Sequence, residues 1–136
     1  LGLHLLFTES EENGNWQGLD IFRGSVKRFP SQNDNGDKLR VPHIGWNQIH
    51  PHPDNQVLWD SSPLNTIQPE AFMYFVHSYR VVPEDSSIIL SETRYADVPF
   101  VSSVRRDNVT AFQFHPEKSG TPGIRILNSI LNNLTS

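Results

Sequence analysis

Apolar and polar positions along this chain predict strands through most of its length, bounded by a helix at each end. Leu1-Gly2-Leu3-His4-Leu5-Leu6-Phe7 reads as the buried front of a helix that ends in the polar run from Thr8 to Gly14. A chain that opens inside an apolar element looks truncated. Leu19 to Phe29 is strand-like, and Pro30 to Asp37 is a turn or surface loop of residues that favour local side-chain bonds over ladders. Val41 to His50 predicts a strand interrupted by Pro42 and Gly45, and Pro51 to Pro69 is mostly irregular, with room for one helical turn. The aromatic and β-branched run Phe72 to Tyr79 predicts a central strand. Ile88 to Tyr95, Phe100 to Val104 and Val109 to Phe114 follow as strands, the last two joined by Arg105-Arg106-Asp107-Asn108 as a hairpin. At the end, Thr121 caps a helix with Pro122 in its first position. Ile124, Leu127, Leu131 and Leu134 recur at helical spacing beside Ile126 and Ile130, which predicts one face docked on a sheet. The sum is an α/β chain without internal repeats.

A length of 136 residues suits one domain, expected to bury roughly two-thirds of its surface on folding. Eleven basic against fifteen acidic residues give a net charge of -4 without a basic stripe, which argues against a nucleic-acid binder. No apolar run approaches the roughly 20 residues of a membrane span, and no basic region precedes Leu1 to make a signal peptide, so a soluble cytoplasmic protein is expected. Asn108-Val109-Thr110 and Asn133-Leu134-Thr135 match the glycosylation acceptor pattern, which such a short motif does by chance. The absence of cysteine excludes a disulfide framework, a thiolate zinc site and a cysteine nucleophile within these residues.

The stretch with most chemistry is Phe112-Gln113-Phe114-His115-Pro116-Glu117. In an extended segment residues i and i+2 point the same way, so Glu117 can orient the His115 imidazole and stabilise its charged form, while Pro116 ends the ladder where a ligand can reach. The same pattern also describes a surface His–Glu pair, and the residues alone leave both readings open.

His115-Pro116-Glu117 after Gln113-Phe114 resembles the closing half of the catalytic triad of class I (triad-type) glutamine amidotransferases. Pro42-His43-Ile44-Gly45-Trp46-Asn47 and Tyr74-Phe75-Val76-His77-Ser78-Tyr79 narrow the resemblance to the glutaminases that serve histidine biosynthesis, and the motifs run in family order over essentially the whole chain. The resemblance implies a flavodoxin-like mixed sheet flanked by helices, with residues 1–136 as the C-terminal portion of a single amidotransferase domain. It implies a Cys, His and Glu triad that hydrolyses L-glutamine to glutamate and ammonia, with His115 and Glu117 as two members and no cofactor or metal. The nucleophile is expected just before Leu1, at a Gly-x-Cys-x-Gly elbow.

By the same carry-over, the Leu1 amide faces the developing oxyanion and Gly2 permits the close approach. His4 stands where the family usually has a substrate-holding glutamine, and Ser78 and Tyr79 hold the α-amino and α-carboxylate end of the substrate. Trp46, Tyr74 and Lys118 fall on the face that docks on a cyclase subunit, a (β/α)8 barrel that receives the ammonia; by residue type alone Trp46 and Tyr74 read as core. The rivals are an amidotransferase of another pathway, a catalytically inactive docking subunit, and a metal-binding protein using His50, His52 and Asp54, for which a surface loop is the competing reading.

Overall fold

The computed structural model describes residues 2–11, 14 and 16–135. Its strands are β1 (Phe7–Ser10), β2 (Trp16–Gln17), β3 (Phe22–Arg28), β4 (His43–Gln48), β5 (His50–Pro51), β6 (Phe72–His77), β7 (Tyr79–Pro83), β8 (Ile89–Tyr95), β9 (Val98–Arg106) and β10 (Val109–Phe112). The helices are α1 (Gly2–Leu5), α2 (Gln56–Asp60) and α3 (Gly120–Thr135), with short 3-10 turns at Pro63–Thr66, Ser86–Ile88 and Pro116–Lys118. No described helix is long and apolar enough to cross a membrane.

Three sheets organise the described residues. One has the order β2-β1-β3-β7 and is mixed, since β1 and β3 run parallel and the other pairs antiparallel. The second, β10-β9-β8-β5, is antiparallel, and β4 pairs with β6 as a separate antiparallel ribbon. Two apolar cores result. Phe29, Met73, Phe75, Phe100, Phe114 and Ile126 belong to one, Phe7, Phe22, Val26, Val81 and Val104 to the other.

Several expected elements change. The first helix stops at Leu5, and Phe7 to Ser10 is a strand: Phe7 is wholly buried against Phe22, with ring centroids 5.7 Å apart, and Ser10 is buried too. A four-residue helix has little stability of its own, so tertiary burial of Phe7 decides the local structure. Gly45 does not interrupt β4, which starts after Pro42 and runs through it. Pro51 to Pro69 holds two helical pieces, α2 and the turn at Pro63–Thr66.

The aromatic run is not one central strand. Its residues alternate between exposed and buried through His77, and Ser78 is a corner at which the chain passes from the β4–β6 ribbon into the mixed sheet. Two tight turns join β8, β9 and β10: in the first, Ala96 and Asp97 have φ of 49° and 65°, a left-handed pair that suits the twist of a two-residue hairpin. The other turn is tighter than expected, because β9 continues through Arg106 and Asp107-Asn108 make the bend.

In α3 the helix begins at Gly120, before the expected cap, and the buried face is Gly123 and Ile126 with Ile130 partly covered. Ile124, Leu127 and Leu131 lie on the exposed side. Gly123 explains the choice of face: a Cβ there would stand 1.9 Å from the carbonyl oxygen of Pro116, so only glycine lets the helix close on the turn that follows His115.

Candidate active site

The segment after β10 is pinned residue by residue. Gln113 N–H donates to the Ser102 carbonyl at 2.8 Å, Phe114 is buried against Phe75 and Phe112, and His115 N–H donates to the Tyr74 carbonyl at 3.0 Å. Buried Ser119 completes the clamp, since its hydroxyl donates to the His115 carbonyl at 2.6 Å and accepts from Tyr74 N–H at 3.0 Å. The His115 backbone is therefore fixed against β6 from both sides. Nothing in the local pattern singles out Ser119, because its partner on β6 lies 45 residues away.

His115 Nδ1 and Glu117 Oε1 are 2.9 Å apart. The strand itself ends at Phe112, and the 3-10 turn at Pro116–Lys118 brings i and i+2 together, so the expected pairing is reached through a turn and not by extended backbone. Their side chains are 35% and 56% exposed, so the pair adds little stability, and its consequence is orientation of the ring. Burial pushes the Glu117 carboxyl up, yet its own backbone N–H, His115 and Lys118 together hold it below the ordinary value, and it remains a carboxylate. With Nδ1 committed to Glu117, Nε2 is the nitrogen available for proton transfer.

His4 is buried, and its Nε2 lies 2.8 Å from Oε1 of buried Gln113. That contact braces the strand end that leads to His115. Ser78 and Tyr79 sit at the corner between β6 and β7, both partly exposed, with the Arg28 guanidinium 5.9 Å from the Tyr79 ring centre. The Ser78 carbonyl accepts from Phe29 N–H at 3.1 Å, and His77 Nδ1 lies 2.9 Å from the Tyr79 carbonyl oxygen. His4, His43 and His115 all act electrostatically on His77, which burial chiefly pushes down to about 3. The structure thus gathers His4, Gln113, His115 and the Ser78–Tyr79 corner around one neighbourhood. Leu1 lies outside the described residues, and Gly2 opens α1.

Trp46 and Tyr74 stand opposite each other in the β4–β6 register with ring centroids 5.7 Å apart, and Trp46 is 52% exposed, which overturns the core reading. Exposed Ile44, Phe72 and Val76 share that face, and Lys118 sits on the turn clamped beside Tyr74. His50, His52 and Asp54 do not form a metal centre. Asp54 N–H donates to His52 Nδ1 at 3.2 Å, His52 Nε2 faces Glu92 at 3.9 Å, and among the described residues no three ligand-type side chains are grouped to hold an ion.

The mixed α/β fold thus carries an imidazole oriented by a carboxylate on a turn clamped to β6, an arrangement that can move a proton. The family model described as glutamine amidotransferase class-I matches residues 1–133, and the chain belongs to that family. Among curated relatives, the imidazole glycerol phosphate synthase subunit HisH of Geobacillus thermodenitrificans is 48% identical over 136 residues, 99% of this chain and 60% of its own length. The same subunit of Syntrophotalea carbinolica is 52% identical over 131 residues, 93% of this chain and 59% of its own. The chloroplastic imidazole glycerol phosphate synthase hisHF of Arabidopsis thaliana is 45% identical over 134 residues, 97% of this chain and 21% of its own. The chain spans about 60% of the length of the HisH relatives it matches.

Proposed function

We propose that these residues belong to the glutaminase subunit of a cytoplasmic imidazole glycerol phosphate synthase and form the C-terminal portion of its amidotransferase domain. The observation that carries the reading is the His115–Glu117 contact at 2.9 Å on a turn clamped to β6, in a chain of the amidotransferase family. The reaction needs a thiolate, and with no cysteine among these 136 residues that group comes from outside them. Attack on the side-chain amide carbon of L-glutamine gives a tetrahedral adduct. His115 Nε2–H then protonates the departing nitrogen, the C–N bond breaks, and ammonia leaves a thioester. In the second half His115 takes a proton from water, the hydroxyl attacks the thioester, and glutamate departs as the thiolate returns. Glu117 compensates the positive ring at each stage, and Glu117 stays ionised throughout.

Leu1 and Gly2 supply the oxyanion side, and Ser78 and Tyr79 hold the α-amino and α-carboxylate end of the substrate. His4, braced on Gln113, lies on the substrate side of the same pocket. Trp46, Tyr74 and Lys118 dock on the (β/α)8-barrel cyclase that consumes the ammonia; an exposed Trp–Tyr pair suits the centre of an interface. The test is ammonia release from glutamine by the intact subunit with its cyclase, beside His115→Ala. Loss of turnover with cyclase binding retained supports the triad. Unchanged turnover in the variant overturns it, and no turnover in the unaltered complex favours an inactive docking subunit.

A further inference from the structure

Two histidines inside the β4–β6 ribbon are used by none of the steps above. His43 and His77 are directly opposite in register, both buried, with His43 Nδ1 2.9 Å from His77 Nε2. The outer nitrogens face oxygens: His77 Nδ1 meets the Tyr79 carbonyl at 2.9 Å, and His43 Nε2 meets the Asn47 amide oxygen at 2.7 Å, while the Asn47 nitrogen reaches the Arg94 carbonyl at 3.2 Å. Packing fixes the rings: that of His43 stacks on Tyr95 and Phe75 at 4.0 and 5.2 Å, and His77 lies 5.1 Å from Phe29.

Counting protons gives the line a direction. Contacts to oxygen at both ends and one hydrogen between the rings require three N–H groups, one more than two neutral imidazoles carry. With one N–H per ring, a consistent chain keeps the Tyr79 contact: the Asn47 amide turns its NH2 to His43 Nε2, His43 Nδ1–H donates to His77 Nε2, and His77 Nδ1–H donates to Tyr79. The cost falls on the exposed Arg94 carbonyl, which water can serve. Should both rings carry hydrogen on Nε2 instead, the Tyr79 carbonyl loses its donor.

We propose that His43 is a positioning residue for the Ser78–Tyr79 corner, acting through His77 so that the strand carrying Trp46 sets the donor on the Tyr79 carbonyl. The inference rests on the reading of that corner as the glutamine-holding end, and it adds a physical link from the docking face to the substrate. His43 precedes exposed Ile44 by one residue and Trp46 by three, so a displacement of β4 at the face moves the ring that fixes the tautomer of His77.

Two measurements test it. Side-chain 15N spectra of the intact subunit at neutral pH should show hydrogen on Nδ1 of both His43 and His77; hydrogen on Nε2 of His77 would overturn the link, whatever the protein hydrolyses. In the intact glutaminase with its cyclase, His43→Leu should raise KM for glutamine about ten-fold with cyclase affinity unchanged, and His43→Asn, whose amide N–H takes the place of Nδ1–H, should recover most of that loss. A folded His43→Leu with unchanged KM overturns the proposal, as does a loss shared by cyclase affinity and not recovered by asparagine. Should His43→Leu fail to fold, the tautomer measurement on the unaltered chain decides. Absence of turnover in the unaltered complex would instead refute the glutaminase reading and leave the tautomer result standing.

Discussion

Acid should weaken this fold through His77 in particular. Burial is the main cause that pushes its imidazole from 6.5 to about 3, with the Tyr79 carbonyl working in the opposite direction and the nearby His43, His4 and His115 adding to the depression. The unfolded chain takes up a proton on this residue below its ordinary value, whereas the folded chain does so only near the lowered one. Between the two the unfolded state holds more protons, so stability rises with pH and is lost as pH falls through that window. At about pH 4.5 the unfolded side has gained two units of protonation at about 1.36 kcal/mol each, a loss of about 2.7 kcal/mol relative to about pH 8.

Other groups also titrate in that range, so the measurement is a difference of differences. Urea unfolding at the two pH values is compared between the unaltered chain and His77→Asn, whose amide N–H takes the place of Nδ1–H toward the Tyr79 carbonyl without an ionisable ring. The unaltered chain should lose about 2 to 3 kcal/mol more than the variant on acidification. Parallel losses in the two proteins would refute the assignment and mean that His77 carries its charge inside the fold, shared with His43 across their 2.9 Å contact.

His115→Ala in the intact complex should lower glutamine turnover by at least about 100-fold at saturating substrate, read as ammonia release, with cyclase affinity retained. Trp46→Ala should weaken cyclase binding by about 2 kcal/mol in a titration, and Lys118→Ala should uncouple ammonia production from its use. Ser119→Ala strands the Tyr74 N–H and the His115 carbonyl, costs about 1 to 3 kcal/mol in thermal or urea unfolding, and lowers kcat by loosening the His115 turn. Ile126→Ala should cost about 2 to 5 kcal/mol in this chain and Ile124→Ala less than about 0.5; equal effects would contradict the face that α3 buries.

What the sequence made legible follows the range of each interaction. Strands with clear β-branched runs, the loop at Pro30 to Asp37 and the His115–Glu117 pairing are local, and they were readable as such. The face of α3 was not, because six apolar residues at helical spacing leave two possible sides, and the side chosen depends on how closely Gly123 approaches the Pro116 carbonyl. Phe7 reads as part of an apolar helix and instead opens β1 for a related reason, since it gains more from burial against Phe22 than a short apolar run gains from helical bonds. At the site, His4 could be placed by resemblance but not assigned a partner, since Gln113 is 109 residues distant. Trp46 reads as core by composition and as interface by resemblance, and only the β4–β6 register puts it beside Tyr74 on the open face.

That register also ties two roles together more closely than motifs do. In an extended strand neighbouring side chains point to opposite faces, so within six residues β4 turns Ile44 and Trp46 outward and sends His43 inward to His77. β6 repeats the division, with Phe72, Tyr74 and Val76 toward the open face and Met73, Phe75 and His77 toward the core. A slip of β4 by one residue would turn Trp46 inward and the His43 imidazole outward, removing the proposed docking face and the ring that braces His77 in one step. The two motifs that point to the partner and to the substrate are therefore one ribbon read from its two sides. Variants that disturb its register should lose both functions together, whereas side-chain truncations on a single face should separate them.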